Sequence, residues 1–160
     1  MKEITTSSRI LVFDDKSDLP ADINALIDKA IATRKNAYAP YSKFRVGASL
    51  LLDNGETVEG SNQENAAYPS GLCAERVAIF YAGAKYPDAK ILKIAISATS
   101  DNFISKTPIP PCGACRQSIS EYEQRQQTAI EIYFMGEEGE VYKSDSIADL
   151  LPFSFSKEYL

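Results

Sequence analysis

The chain has 160 residues, enough for one domain with a buried core, and its 44% hydrophobic and 24% charged content is that of a globular protein rather than a disordered one. Its 17 Lys and Arg against 22 Asp and Glu give a formal charge of −5 with no basic cluster, which argues against a nucleic-acid polymer as partner and favours a small neutral substrate. No apolar run reaches membrane-spanning length and residues 1–8 lack the apolar segment of a secretory signal, so no membrane partner is expected; free thiols suit the reducing cytoplasm.

Residues 9–13 are a short apolar run that reads either as an extra edge strand or as part of an N-terminal arm spanning 1–19. The first firm helix is expected behind Asp18 as its cap, with Pro20 in the first turn and Ile23, Leu26, Ile27, Ala30 and Ile31 at helical spacing up to Arg34 and Lys35. Pro40 lies in the break that follows. Residues 44–52 and 57–61, joined by Asp53-Asn54-Gly55, read as a β-hairpin. Gly47 inside its first strand marks a bulge or a close approach by a ligand or another backbone, so a pocket wall and plain packing both fit.

Residues 62–71 form a polar loop marked by Pro and Gly, in which Asn62 and Glu64 stand on one side of an extended segment. Taken alone, a turn-stabilising Asn beside a solvated Glu explains that pair as well as binding does. Cys73, Val77, Phe80, Tyr81 and Ala84 recur at helical spacing, 91–98 is strongly β-forming, and 113–122 reads as another helix. Residues 130–135 and 141–143 are strands about a turn, a short capped helix opens at Ser146 and runs to Leu151, and the tail over 152–160 carries three aromatics. A helix, a hairpin and then strands alternating with helices predict an α/β fold: a single domain over 1–160, built as a three-layer α/β/α sandwich with a mixed sheet.

All three cysteines fall in two short stretches, Cys73-Ala74-Glu75-Arg76 and Pro111-Cys112-Gly113-Ala114-Cys115-Arg116. Singly, Cys73 would be a small buried hydrophobe and Glu75 a solvated charge at a helix start. Together with the Cys-x-x-Cys they offer three soft ligands, and three protein ligands with an open fourth position distinguish a catalytic zinc site from a structural one. A redox pair fits less well, since a Pro precedes Cys112 and Cys73 is left without a role; the odd count also leaves disulfide pairing incomplete. Histidine is absent, which excludes any His base, His ligand or Ser/His/Asp triad. One zinc ion per chain held this way makes water nucleophilic near neutral pH, and Glu75 is placed to move the proton. Both stretches open predicted helices, whose partial positive charge stabilises thiolates.

These stretches, together with Tyr41-Ser42-Lys43-Phe44-Arg45-Val46-Gly47-Ala48, Asn62-Gln63-Glu64-Asn65-Ala66-Ala67-Tyr68-Pro69 and Leu150-Leu151-Pro152-Phe153-Ser154-Phe155, resemble the small three-cysteine cytidine deaminases from about residue 21 to the C-terminus. The pairing of three cysteines with a Glu that is not a ligand is general to one class of zinc deaminases. The resemblance implies hydrolytic deamination of cytidine and 2′-deoxycytidine to uridine and 2′-deoxyuridine with release of ammonia, a pyrimidine salvage reaction. It assigns the proton transfers to Glu75, stacking on the pyrimidine to Phe44, the ribose to Asn62 and Glu64, a place near the substrate to Tyr68, and the base edge to backbone groups of Ala74 and of Pro111-Cys112. For Arg76 it implies hydrogen bonds to the zinc thiolates, with an ordinary surface Arg as the alternative. It further implies a homotetramer in which Phe155 reaches a neighbour's pocket; from composition alone, the tail folding back on its own domain is as good a reading.

Two other functions stay open on the residues. A deaminase of the same fold could act on another aminated nucleoside, such as a nucleoside antibiotic; the set Phe44, Asn62 and Glu64 speaks against it. A non-catalytic zinc module would need a fourth ligand that the chain does not contain, and would have no use for Glu75.

Overall fold

The computed structural model describes residues 1–160. Six strands, β1 (Leu11–Phe13), β2 (Phe44–Leu52), β3 (Thr57–Ser61), β4 (Ile91–Ser100), β5 (Glu131–Met135) and β6 (Val141–Ser144), form one sheet in the order β1-β6-β5-β4-β2-β3. Only β4 and β5 run parallel; the other neighbours are antiparallel, so the sheet is mixed as expected. The three α-helices are α1 (Ala21–Arg34), α2 (Ala74–Lys85) and α3 (Gly113–Gln126).

Two cores flank the sheet, and strand alternation decides which residue enters which. Ile94, Ile96, Ile132 and Phe134 point to the side of α2 and α3, where they pack with Ala78, Ile79 and Ile119. Their neighbours Ala95, Tyr133 and Met135 point to the other side, against Ile23, Leu26, Ile27 and Ala30 of α1. This gives the α/β/α layering. Central strands buried on both faces read as continuous apolar runs, which is why 91–98 gave a strong β signal.

Two glycines let the helices come close. A Cβ on Gly47 would stand 2.1 Å from the Ala30 carbonyl oxygen and 2.6 Å from the Arg34 nitrogen, so α1 rests directly on β2. Gly47 therefore serves a close backbone approach; the register shift of this strand lies instead at Leu51/Leu52. Gly60 does the same for α2, where a Cβ would meet the Ala74 carbonyl oxygen at 2.7 Å, and so sets the position of the helix start that carries Cys73 and Glu75.

Several local expectations change. Asp18 does not cap α1: it lies in a 3-10 turn (Lys16–Asp18), its carboxylate accepting from the Asp15 nitrogen at 3.2 Å. Pro20 takes the N-cap position, and its carbonyl accepts from Ile23 and Asn24. The run at 9–13 contributes an edge strand over Leu11–Phe13, paired antiparallel with β6. Helix α3 runs to Gln126 rather than stopping at 122, because its polar last turn is tied down by side chains. Glu123 accepts from the backbone nitrogens of Ile130 and Ile147, and Gln126 bonds both backbone groups of Ile91. In the tail, Phe153, Phe155 and Tyr159 stay exposed, with Phe155 and Tyr159 stacked at 5.8 Å, so the tail aromatics do not enter their own domain's core.

Candidate metal centre and active site

The starts of α2 and α3 meet beside a cleft that the first residues of β2, Phe44 and Val46, also line. Cys73 is the N-cap of α2, Cys112 the N-cap of α3, and Cys115 lies in the first turn of α3. Their sulfur atoms all lie within 4.8 Å of one another, and Cys73 Sγ is 3.7 Å from Cys112 Sγ. A tetrahedral zinc with bonds of about 2.3 Å to sulfur sets its ligands roughly 3.8 Å apart, so the cluster fits that ion. All three thiols are free.

The charges of the cluster agree with that fit. The Cys73 thiol is drawn down to about 5, first by its hydrogen bond to Cys115 and then by Arg76 and Cys112, against the opposing effect of burial. Cys115 moves the other way, pushed up by the same bond to Cys73, by burial and by the Glu75 carboxylate. Three close sulfurs cannot share negative charge unaided; a divalent cation among them removes the conflict. Arg76 Nη2 lies 3.8 Å from Cys73 Sγ, and its buried Nε has no hydrogen-bond partner within the chain. Arg76 is thus turned towards the thiolates rather than to solvent.

Beside the cysteines opens a cleft of about 720 Å³, within the usual size for a small-molecule site. Phe44, Asn62, Glu64, Tyr68, Glu75 and Arg76 line it together with Cys73 and Cys112. Glu75 is 4% exposed in the first turn of α2, and burial is the main cause that raises its carboxyl above the ordinary range. A carboxyl so placed holds a proton more readily than one in water, which suits a group that must both take and return one. Tyr68 stands exposed at the mouth.

Asn62 is buried and Glu64 half-buried, and both are tied down by hydrogen bonds. Asn62 donates from Nδ2 to the Phe44 carbonyl at 2.9 Å and accepts on Oδ1 from the Val46 nitrogen at 2.8 Å. Glu64 Oε2 accepts from the nitrogens of Tyr41 (3.0 Å) and Ser42 (3.3 Å), while Oε1 accepts from the Ser42 hydroxyl. Ala74, Pro111 and Phe155, all expected at the substrate, are not in the cleft lining. Ala74 is wholly buried, and Phe155 lies apart, its carbonyl accepting from Gln117 Nε2 at 2.9 Å.

Other residues of the site escaped sequence reasoning. Ile109 and Leu72 line the cleft, and Arg116 pins the Cys112 segment by donating to the carbonyls of Pro111 and Leu150, each at 2.8 Å. Arg116 stands inside the Pro111–Arg116 stretch and Ser42 inside Tyr41–Ala48, and those positions were the available signal.

A model of the "cytidine and deoxycytidylate deaminase zinc-binding region" matches residues 20–130, more than half of the chain. The chain belongs to this zinc-binding deaminase family. The match takes in all three cysteines and Glu75, so the cluster lies in the region by which the deaminase family is defined. Among curated relatives, a cytidine deaminase from Halalkalibacterium halodurans is 39% identical over 137 residues, covering 86% of this chain and 96% of the relative. One from Sporosarcina psychrophila is 39% identical over 139 residues, covering 87% and 95%. A solved cytidine deaminase from Burkholderia pseudomallei superposes with TM-score 0.70 at 40% identity, covering 82% of this chain and 97% of that one. The fold is therefore the α/β fold of cytidine deaminases.

Proposed function

We propose that this chain is a zinc-dependent deaminase that hydrolyses cytidine and 2′-deoxycytidine to uridine and 2′-deoxyuridine with release of ammonia, a pyrimidine salvage reaction. The observation that carries this reading is one cleft in which buried Glu75 adjoins the three-cysteine cluster and faces Phe44, Asn62 and Glu64. The relatives named cytidine deaminase support the same substrate.

Cys73, Cys112 and Cys115 hold the ion, and bound zinc supplies a Lewis acid that makes water nucleophilic at neutral pH. Glu75 takes the proton of the attacking water and delivers it to N3 of the base. As the C4–N4 bond breaks, Glu75 takes the proton of the new C4 hydroxyl, which becomes the uridine carbonyl, and gives it to the departing amine, so one carboxyl serves both transfers. Phe44 stacks on the pyrimidine, Asn62 and Glu64 engage the sugar, Tyr68 closes the mouth, and backbone groups of Ala74 and the Pro111-Cys112 segment hold the base edge. Arg76 offsets part of the thiolate charge.

The same reading includes a homotetramer of single-domain chains, in which Phe155 completes a neighbour's cleft. The exposed tail aromatics support it, as do exposed Phe80 and Tyr81 on α2. A cytoplasmic location fits three free thiols, and no helix is long and apolar enough to cross a membrane. An ultraviolet assay with cytidine, 2′-deoxycytidine and free cytosine tests the activity: both nucleosides are turned over and cytosine is left.

A further inference from the structure

Glu64 does more than face the cleft, and the group that fixes it is Ser42. An ionised carboxylate has about four lone-pair sites. Three of those on Glu64 are taken, by the Tyr41 nitrogen, the Ser42 nitrogen and the Ser42 hydroxyl. The direction of the last bond is settled by its neighbour: Ser42 Oγ accepts from the Phe44 nitrogen at 3.0 Å, so its own hydrogen goes to Glu64 Oε1. One acceptor site remains, on Oε1, at a carboxylate that lines the cleft.

Ser42 reaches both partners because the next residue bends the chain. Lys43 has a left-handed backbone with φ 58°, an uncommon state for a residue with a side chain, and one that persists where surrounding contacts over-determine it. Those contacts are present. The Lys43 nitrogen donates to the Ala39 carbonyl at 3.2 Å, and the Lys43 carbonyl accepts from the Asp101 nitrogen at 2.8 Å. Phe44 is held independently of Ser42, by its pairing with Ser100 in β4 and by Asn62 Nδ2 on its carbonyl. Removing the Ser42 hydroxyl therefore releases Glu64 Oε1, so that the carboxylate can turn about the Oε2 atom held by the two backbone nitrogens, while Phe44 keeps its other contacts.

We propose that Ser42 is a positioning residue for sugar selection: its hydroxyl locks the Glu64 carboxylate so that one remaining oxygen lone pair accepts one sugar hydroxyl. This rests on the cytidine reading above. Ser42 itself stands in the cleft lining, and its hydroxyl acts on sugar selection through the carboxylate it bonds.

The test is a cycle of Ser42→Ala, Glu64→Ala and the double variant, assayed with cytidine and with 2′,3′-dideoxycytidine, which lacks both ring hydroxyls. Losing a hydrogen bond to a charged group corresponds to about tenfold or more. Ser42→Ala is expected to raise KM for cytidine about tenfold with kcat nearly unchanged. KM for the dideoxynucleoside stays within about twofold, and Ser42→Thr, which keeps the hydroxyl, restores cytidine binding. The double variant is no worse than Glu64→Ala, since residues acting through one contact do not add. Equal loss on both nucleosides, multiplying effects in the double variant, or no effect of Ser42→Ala would each overturn the proposal while the unaltered enzyme still deaminates cytidine. An unaltered enzyme that leaves cytidine untouched removes the cytidine reading, and this inference with it.

Discussion

Cys73 Sγ and Cys112 Sγ lie 3.7 Å apart at the N-caps of two different helices, 39 residues distant in the chain. That is too far for a disulfide, whose sulfurs stand about 2.05 Å apart, and close to the separation set by a shared zinc ion. The arrangement follows from the fold. Gly60 admits the start of α2 against β3, and Arg116 fixes the Pro111 carbonyl at the start of α3.

Replacing Cys73, Cys112 or Cys115 by Ala is expected to strip zinc and activity together. Elemental analysis checks this, with one zinc per unaltered chain as the reference. A Cys73→Ala protein with full zinc content would refute the ligand set.

Glu75→Gln keeps the shape of the side chain and removes the proton carrier. Zinc content should stay at one per chain while turnover falls. General acid–base groups contribute on the order of 10²–10⁴ in rate, and a group that serves both transfers belongs at the upper end. A Glu75→Gln enzyme retaining more than about a tenth of the rate is incompatible with that role.

How much of this was legible beforehand depended on whether the cause was local. The hairpin strands 44–52 and 57–61 were readable to the residue, since the Asp-Asn-Gly turn that joins them is a property of adjacent residues. The cysteine cluster was legible from ligand chemistry, and its place beside Glu75 followed from two helix starts. Asp18 was misread as the cap of α1 because its carboxylate goes to a preceding turn, a choice between two local partners that spacing does not decide. The last turn of α3 was missed because Glu123 and Gln126 are polar, and their partners at Ile130, Ile147 and Ile91 are distant in sequence. Ser42 was quoted in a motif and given no role, since its work depends on the bend at Lys43.

Gly47→Ala should destabilise the fold without touching the chemistry. The added methyl meets backbone of α1, which has no rotamer to yield, so the cost belongs at or above the usual 1–3 kcal/mol of overpacking. Thermal or denaturant unfolding measures it. An unchanged midpoint would show that α1 shifts freely on β2.

Phe155→Ala is expected to raise KM with zinc unchanged, by about tenfold if the 1.5–3 kcal/mol of a buried aromatic is lost on substrate binding. Deletion from Pro152 onward should also weaken assembly. Sedimentation resolves the point, and a fully active monomer at assay concentration would reject the shared site.

The account's central claim is that the cleft beside the three cysteines hydrolyses the amine of a cytosine nucleoside. Its most direct test is to follow purified, zinc-loaded protein with cytidine by ultraviolet absorbance while ammonia is assayed in parallel. The account predicts steady conversion to uridine with one ammonia per nucleoside, abolished in Glu75→Gln at unchanged zinc content. Cytidine left unconverted by zinc-replete protein, or turnover that survives in Glu75→Gln, would contradict it.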